Sequence, residues 1–386
     1  MSDSLQSLFP VIYAGLAEFP RKQFGILRAV QVDSGLINGK PSRGVFGQEV
    51  VWDVPQIGQA KDIAPAHNVP EAEDDVPVLR SFKMERRRGV QIPVTGATSE
   101  VLGDKRLQNQ YLQAMDALTL ELEEYLAMKA ITGASRAFKN VVGNDPAVPF
   151  TDPQDMSYFA EFNRQFKRNQ RTGGKLSLIL NSQTAYNLRA NMSNLFRANE
   201  FGSRELIDEG VLNRIEGFNI HEPVSLPIYS SNSTGSGYVT DGAHAKGLTE
   251  IKVKTGTGGI KAGDLIQIGG VLYGVAEGIS GPGVIKIAEP GLLSDVSTGT
   301  EVPVFTPEAA LNIGLAGGAV GLGVRLPEAP AGGDAASEAV ALHDPHTGLV
   351  FEIRRYKRYR MVVDEIAIMY GATVLDNAGV ILGLTA

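Results

Sequence analysis

Residues 311–327, LNIGLAGGAVGLGVRLP, form a glycine-rich stretch of the kind that lets a phosphate approach the backbone. A dinucleotide loop needs glycines at relative positions one, three and six, then a helix and a later acidic residue. Counting from Gly314 the third position is Ala316, from Gly317 it is Ala319, and from Gly321 the sixth is Leu326. Pro327 and Pro330 also interrupt the segment where the helix would run. No nucleotide site is expected there. SGLINGKPS approaches the phosphate loop GxxxxGK[ST], but Ser34 stands for the first glycine and Pro41 follows Lys40. The nearest approach to a serine-hydrolase elbow, GSG at 235–237, sits in a polar turn without the strand-to-helix context. His343, Asp344 and His346 in HDPH could be imagined as metal ligands, yet Pro345 breaks the helix that would align them, so a surface loop is expected.

The charged clusters carry the remaining chemistry. Glu71, Glu73, Asp74 and Asp75 could hold a divalent cation, solvate a loop tip or meet a basic partner. Arg86, Arg87 and Arg88 lie on the second strand of the same excursion, so the tip of one subunit could pair with the basic strand of another. These seven residues are the candidate inter-subunit contacts. RRYKRYR at 354–360 interleaves Arg and Tyr as nucleic-acid surfaces do, but it lies inside a strand pattern and reads as an exposed strand face. No catalytic, cofactor-binding or metal-binding residue is assigned, no cofactor is expected, and the chain is not read as an enzyme.

Composition agrees. The 386 residues are 43% hydrophobic and 20% charged, an ordinary globular balance with room for several domains. A net charge of −7 disfavours a general electrostatic grip on nucleic acid. The absence of cysteine excludes disulfides, zinc–thiolate sites and thiol nucleophiles. The amino-terminal MSDSLQSLFP lacks the basic region of a secretion signal, and no apolar run reaches eighteen residues, so no membrane partner is expected.

Several elements must position these groups. Leu5, Leu8, Ile12, Leu16 and Phe19 mark a short amphipathic arm before Pro20. GVFGQEVVWDVP and VLRSFKMERRRGVQIPV read as two strands flanking a polar excursion, with too few large apolar residues for a core of their own. A long helix is predicted over 104–132, with Leu107, Tyr111, Ala114, Leu118, Leu122, Tyr125 and Met128 on one stripe and Gly133 as its stop. A second helix over 155–171 carries Tyr158, Phe159, Phe162 and Phe166. KLSLIL is a buried strand, and Asn181 or Ser182 caps the helix that follows. Residues 234–305 read as short strands with glycine turns, Gly269-Gly270 closing a hairpin, and two strands end the chain. An arm and a hairpin without a core find their burial on neighbouring copies.

The order of these parts resembles major capsid proteins of tailed double-stranded DNA phages, the Hong Kong 97-like fold. LSLILNSQTAYNLRANM with GVLNRIEGFNIHEPVSLP is similar to the axial domain, FTPEAALNIGLAGGAVGLGVRLPEAP to its return, and DPHTGLVFEIRRYKRYRMVVDEIAIMYGATVL to the closing strands. KAGDLIQIGGVLYGV resembles the inserted domain of the podovirus coat-protein branch. The resemblance implies an α+β chain with an N-terminal arm (1–35), an extended loop (36–100), a peripheral domain with the spine helix (101–174), a first axial part (175–233), an inserted β-domain (234–305) and a return to the axial domain with closing peripheral strands (306–386). It places the glycines of 314–323 where backbone segments pack closely. It also implies pentamers and hexamers in an icosahedral shell around packaged DNA held without sequence-specific contacts. A separate scaffolding protein, a portal protein and a decoration protein are the implied partners, with assembly in the host cytoplasm and residence in the virion. The alternatives are an encapsulin-like nanocompartment shell and a hydrolytic enzyme with a β-rich substrate-binding module.

Overall fold

A computed structural model of the chain describes residues 24–37, 39–54, 78–95, 104–142, 145–152, 156–171, 174–191, 214–224, 226–231 and 233–385. The amino-terminal half contributes β1 (Gln31–Asp33), β2 (Glu49–Val54), β3 (Val78–Lys83), β4 (Arg86–Thr95), α1 (Asp104–Thr132), β5 (Arg136–Lys139), α2 (Ser157–Arg168), β6 (Leu176–Ile179), α3 (Ser182–Asn191) and β7 (Phe218–His221). The β-rich half contributes β8 (Ser236–Thr240), β9 (Glu250–Thr257), β10 (Leu265–Ile268), β11 (Val271–Glu277) and β12 (Gly283–Ile287). It then adds β13 (Ala310–Ala316), β14 (Val320–Pro327), β15 (Ala336–His343), β16 (Val350–Arg358), β17 (Met361–Val374) and β18 (Val380–Thr385).

The predicted long helix is observed with the predicted bounds, a rod of roughly 40 Å at 1.5 Å per residue. Its buried stripe is Tyr111, Ala114, Met115, Leu118, Leu122 and Leu126, and it packs in one core with strands β14 to β17. Met128, expected on that stripe, is 50% exposed, because the 3.6-residue period rotates the apolar face toward Ala127, Ala130 and Ile131. In α2 the four predicted aromatics are all buried and form a second core with Leu178, Leu188 and Phe218. Asn181 is the cap of α3: its side-chain oxygen accepts the Thr184 backbone N–H at 2.7 Å.

Two sheets organise the strands. In the first, the fourteen-residue β17 pairs with β16 along its first half, with β14 along its second half, and with β4 over Met361–Tyr370. In the second, β6, β13, β18, β5 and β11 lie side by side and continue into β12, β9 and β8. The stretch 236–304 has its own core, with Tyr238, Ile251, Ile266, Tyr273 and Ile285 among its members. It is also hydrogen-bonded to the body, since Leu272 and Tyr273 of β11 sit opposite Ala137 and Arg136 of β5. Gly269 and Gly270, at φ +57 and +82, form the turn between β10 and β11, as the hairpin reading predicts. The chain end departs from the expected two strands. β15 precedes them, and β18 follows, inserted between β13 and β5.

The glycine-rich stretch is two buried strands, β13 and β14, and three of its five glycines, Gly314, Gly321 and Gly323, are seats for aromatic rings. A Cβ at Gly321 would come within 2.2 Å of the Trp52 ring, and one at Gly323 within 3.0 Å of Phe82. At Gly314 the ring is Phe162, 2.8 Å from where a Cβ would stand. The base of the β2–β3 hairpin thus rests on β14 while α2 rests on β13.

The RRYKRYR strand is not exposed throughout. Arg355, opposite Asp364 in the β16–β17 ladder, makes two 2.7 Å hydrogen bonds to that carboxylate, which has no exposure. The Tyr111 hydroxyl donates to the same carboxylate. Burial first, and then the carboxylate, push the Tyr111 hydroxyl above its ordinary range. Arg354 lies against Glu352 at 3.0 Å and also pairs with Asp334. Only the end of the run, with Tyr359 89% exposed, meets the expectation, because Asp364 of the neighbouring strand, Glu352 of the same strand and Asp334 of the loop before β15 draw the first two arginines inward.

Two substitutions follow from this packing. Gly321→Ala forces the Trp52 ring off β14 and is expected to cost about 1–3 kcal/mol in urea denaturation. Asp364→Ala strands a buried guanidinium and is expected to cost about 3–5 kcal/mol by the same measurement; a loss below about 1 kcal/mol would show that the pair does not hold β16 to β17.

Candidate assembly surface

The hairpin formed by β2 and β3 carries large apolar side chains on both faces. Val50, Trp52 and Phe82 point to the body, where Phe82 and Met84 are buried against Met369. On the opposite parity Val51 and Leu79 are 57% and 61% exposed. Leu36, Ile37, Val45 and Phe46, in the segment leading into β2, are exposed as well. Six large apolar side chains in one stretch of chain are therefore left to water in the isolated subunit, where apolar surface is costly.

Arg86, Arg87 and Arg88 lie on β4, opposite Tyr370, Met369 and Ile368 of β17. Each has a partner within the chain: the Arg86 guanidinium stands 5.8 Å from the centre of the Tyr125 ring, Arg87 pairs with Glu328 at 2.9 Å, and Arg88 with Glu121 at 2.5 Å. Arg87 and Arg88 stay about half exposed after making these contacts. Glu71, Glu73, Asp74 and Asp75 lie outside the described residues. The structure thus brings the three arginines together on one strand, and ties them to carboxylates of α1 and of the segment after β14.

A second cationic face lies on α2, where Arg164 and Arg168 border a groove of about 430 Å³ with Lys139 and Glu161. Arg164 is engaged by Glu161 of the same helix, and Lys167 and Arg168 sit in the last turn, where cations offset the helix dipole. His343 and His346 flank the turn between β15 and β16, where the Asp344 carboxylate accepts the His346 backbone N–H at 3.2 Å and the Thr347 hydroxyl at 2.6 Å. Among the described residues no group of three or more metal-ligating side chains lies together. No described helix is long and apolar enough to cross a membrane.

Sequence reasoning missed Glu123, which is 4% exposed on α1 and accepts the backbone N–H groups of Ile26 at 3.1 Å and Leu27 at 2.6 Å. A signal was present, since Glu123 falls between Leu122 and Leu126 on the apolar stripe.

No protein-family model matches the chain, and no curated protein matches it in sequence. Among solved structures, the capsid structure of the cyanophage P-SCSP1u is similar with a TM-score of 0.50 at 12% identity, covering 94% of this chain and 88% of that one. An entity from Mycobacterium phage Che8 gives 0.44 at 10% identity over 88% and 84% of the two chains. The virus-like particle from Pyrococcus furiosus gives 0.43 at 9% identity over 98% and 97%. On the strength of the cyanophage likeness, with its α1 rod, its β4–β17 ladder and the apolar hairpin set on β14, the chain has the α+β, Hong Kong 97-like fold of a phage capsid.

Proposed function

We propose that the chain is a structural coat protein, a major capsid protein that assembles with copies of itself into the pentamers and hexamers of an icosahedral shell around double-stranded DNA. The observation that carries this reading is the hairpin with large apolar side chains on both faces. One face is seated on the subunit's own β14, and the other, with Val51 and Leu79, has no cover in the isolated chain. On a fold shared with a cyanophage capsid, a neighbouring copy is the cover the hairpin calls for. Arg87 and Arg88, about half exposed beside Glu328 and Glu121, present their remaining surface to the acidic run Glu71–Asp75 of the next copy. The net charge of −7 suits a container, since an acidic wall repels the DNA it encloses. In this reading the virion is the protein's location and the host cytoplasm its place of assembly. Scaffolding, portal and decoration proteins are its further partners, and the stretch 236–304 is the inserted domain of the podovirus branch.

Electron microscopy of the purified chain tests the proposal: closed shells are expected, and a chain that stays monomeric at high concentration removes it. Shells recovered from an expressing cell with protein cargo and no DNA would favour a nanocompartment instead. Val51→Lys and Leu79→Lys sit on exposed positions and should leave unfolding free energy within about 0.5 kcal/mol, while shell yield falls at least about tenfold, the consequence of about 1.4 kcal/mol lost at an interface. Unchanged yield would show that this face is not buried between copies.

A further inference from the structure

The first described turn of the chain is held by a carboxylate 97 residues further on. Phe24, Ile26 and Leu27 bury their side chains almost completely, and the turn closes on itself as Ala29 and Val30 donate to the Ile26 carbonyl at 2.9 and 3.1 Å. Its backbone N–H groups would be orphaned in this dry position were it not for Glu123, which receives those of Ile26 and Leu27. On the other side the turn is pinned sterically. A Cβ at Gly25 would stand 3.1 Å from the Pro223 nitrogen and 3.2 Å from the His221 Cβ. The turn is therefore clasped between α1 and the segment that follows β7, and residues 1–23 join the body at this point.

A carboxylate taken from water is normally met by a cation. Here the groups that act on Glu123 are the backbone amides of Gly25, Ile26 and Leu27, with no charged side chain among the described residues. The other titratable or charged groups at the clasp are His221, packed on Gly25, and Arg28, exposed on the turn itself.

We propose that this clasp is a proton-linked tether, in which Glu123 holds the 24–30 turn with a proton bound and lets it go more readily once ionised. Burial pushes the Glu123 carboxyl up to about 7, and the three amides offset that only in part. When the turn leaves, the carboxyl returns to water and to its ordinary value of 4.5. Between those values the docked turn keeps a proton that the released turn gives up. The contribution of Glu123 to docking is thus strongest in acid and weakens by up to about tenfold per pH unit as pH rises through the window. Above about 7 both states are ionised and the dependence stops. His221 works in the opposite sense: burial, and then Arg28, push it down to about 4, so its protonation in acid opposes docking. The tether belongs to the single subunit and goes beyond the shell reading without resting on it.

Amide hydrogen exchange of the 24–30 segment tests it, on the purified full chain from pH 5 to 8.5 with intrinsic rates divided out. The quantity to follow is the difference in log protection between the wild type and Glu123→Gln, in which the histidine contribution cancels. We expect that difference to fall by up to about one decade per pH unit between 5 and 7 and to level off above 7.5. Protection of β17 amides reports that each protein is folded. If Glu123→Gln loses the fold, His221→Gln leaves Glu123 as the titrating group at the clasp and its pH profile is expected to show the same fall. A flat difference, or a flat His221→Gln profile, overturns the proposal. Shell formation is scored separately, so the tether can fail while the shell reading stands, and the reverse.

Discussion

An aromatic ring can rest directly against a strand's backbone only where the strand has no side chain, and this close approach is the constraint on which the molecule depends. The ring of Phe162 occupies the space over Gly314 and is within reach of Gly383, on two strands that pair with each other. Trp52 and Phe82 occupy the space over Gly321 and Gly323 on the next strand. One glycine-rich stretch therefore seats α2 through β13 and the hairpin base through β14. Because the hairpin's inward face is fixed in this way, the outward direction of Val51 and Leu79 is fixed too, by the two-residue alternation of a strand. The surface offered to a neighbour is a consequence of packing in the subunit's interior.

Charge is placed inside the subunit with the same economy. Arg355 and Asp364 face each other across the β16–β17 ladder, and Tyr111 brings α1 to the same carboxylate. Arg43 and Arg354 converge on Glu352, joining the segment before β2 to β16. Arg136 reaches Asn169 and the Gly291 carbonyl, joining β5 to the end of α2 and to the loop after β12. Tyr111, Arg43 and Arg136 link elements far apart in sequence, and such buried polar contacts reject other registers, since a one-residue slip would strand a charge in the core. Glu123 is the exception, met by amides instead of a cation.

How much was legible depended on the range of the interaction. The long helix was legible at both ends because its periodicity and Gly133 are local signals, and so were the Asn181 cap and the Gly269–Gly270 turn. The aromatic face of α2 was legible for the same reason. Met128 was misplaced because the stripe drifts by a few degrees at each turn over 29 residues. Arg354 and Arg355 looked like surface charges because Asp364 meets Arg355 only through strand pairing and Asp334 reaches Arg354 only from the loop before β15, while Glu352 stands two residues away on the same strand. The arginines of β4 could be named from sequence, but not their partners Glu121 and Glu328, which reach them from other elements. Strand β18 escaped notice because six buried, mostly apolar residues carry no alternation to read.

By itself the sequence determined the parts and the kind of molecule: one long helix, a hairpin with too few large apolar residues for a core of its own, a glycine-rich stretch, no thiol chemistry and an acidic balance. These follow from periodicity, composition and local sterics, which act over a few residues and need no partner. Only the tertiary structure decided which ring sits on which glycine, which carboxylate neutralises which arginine, and that Glu123 faces the amides of the first described turn. Most of those are meetings between residues tens to hundreds of positions apart, and their pairing is set by how whole sheets and helices exclude water from one another.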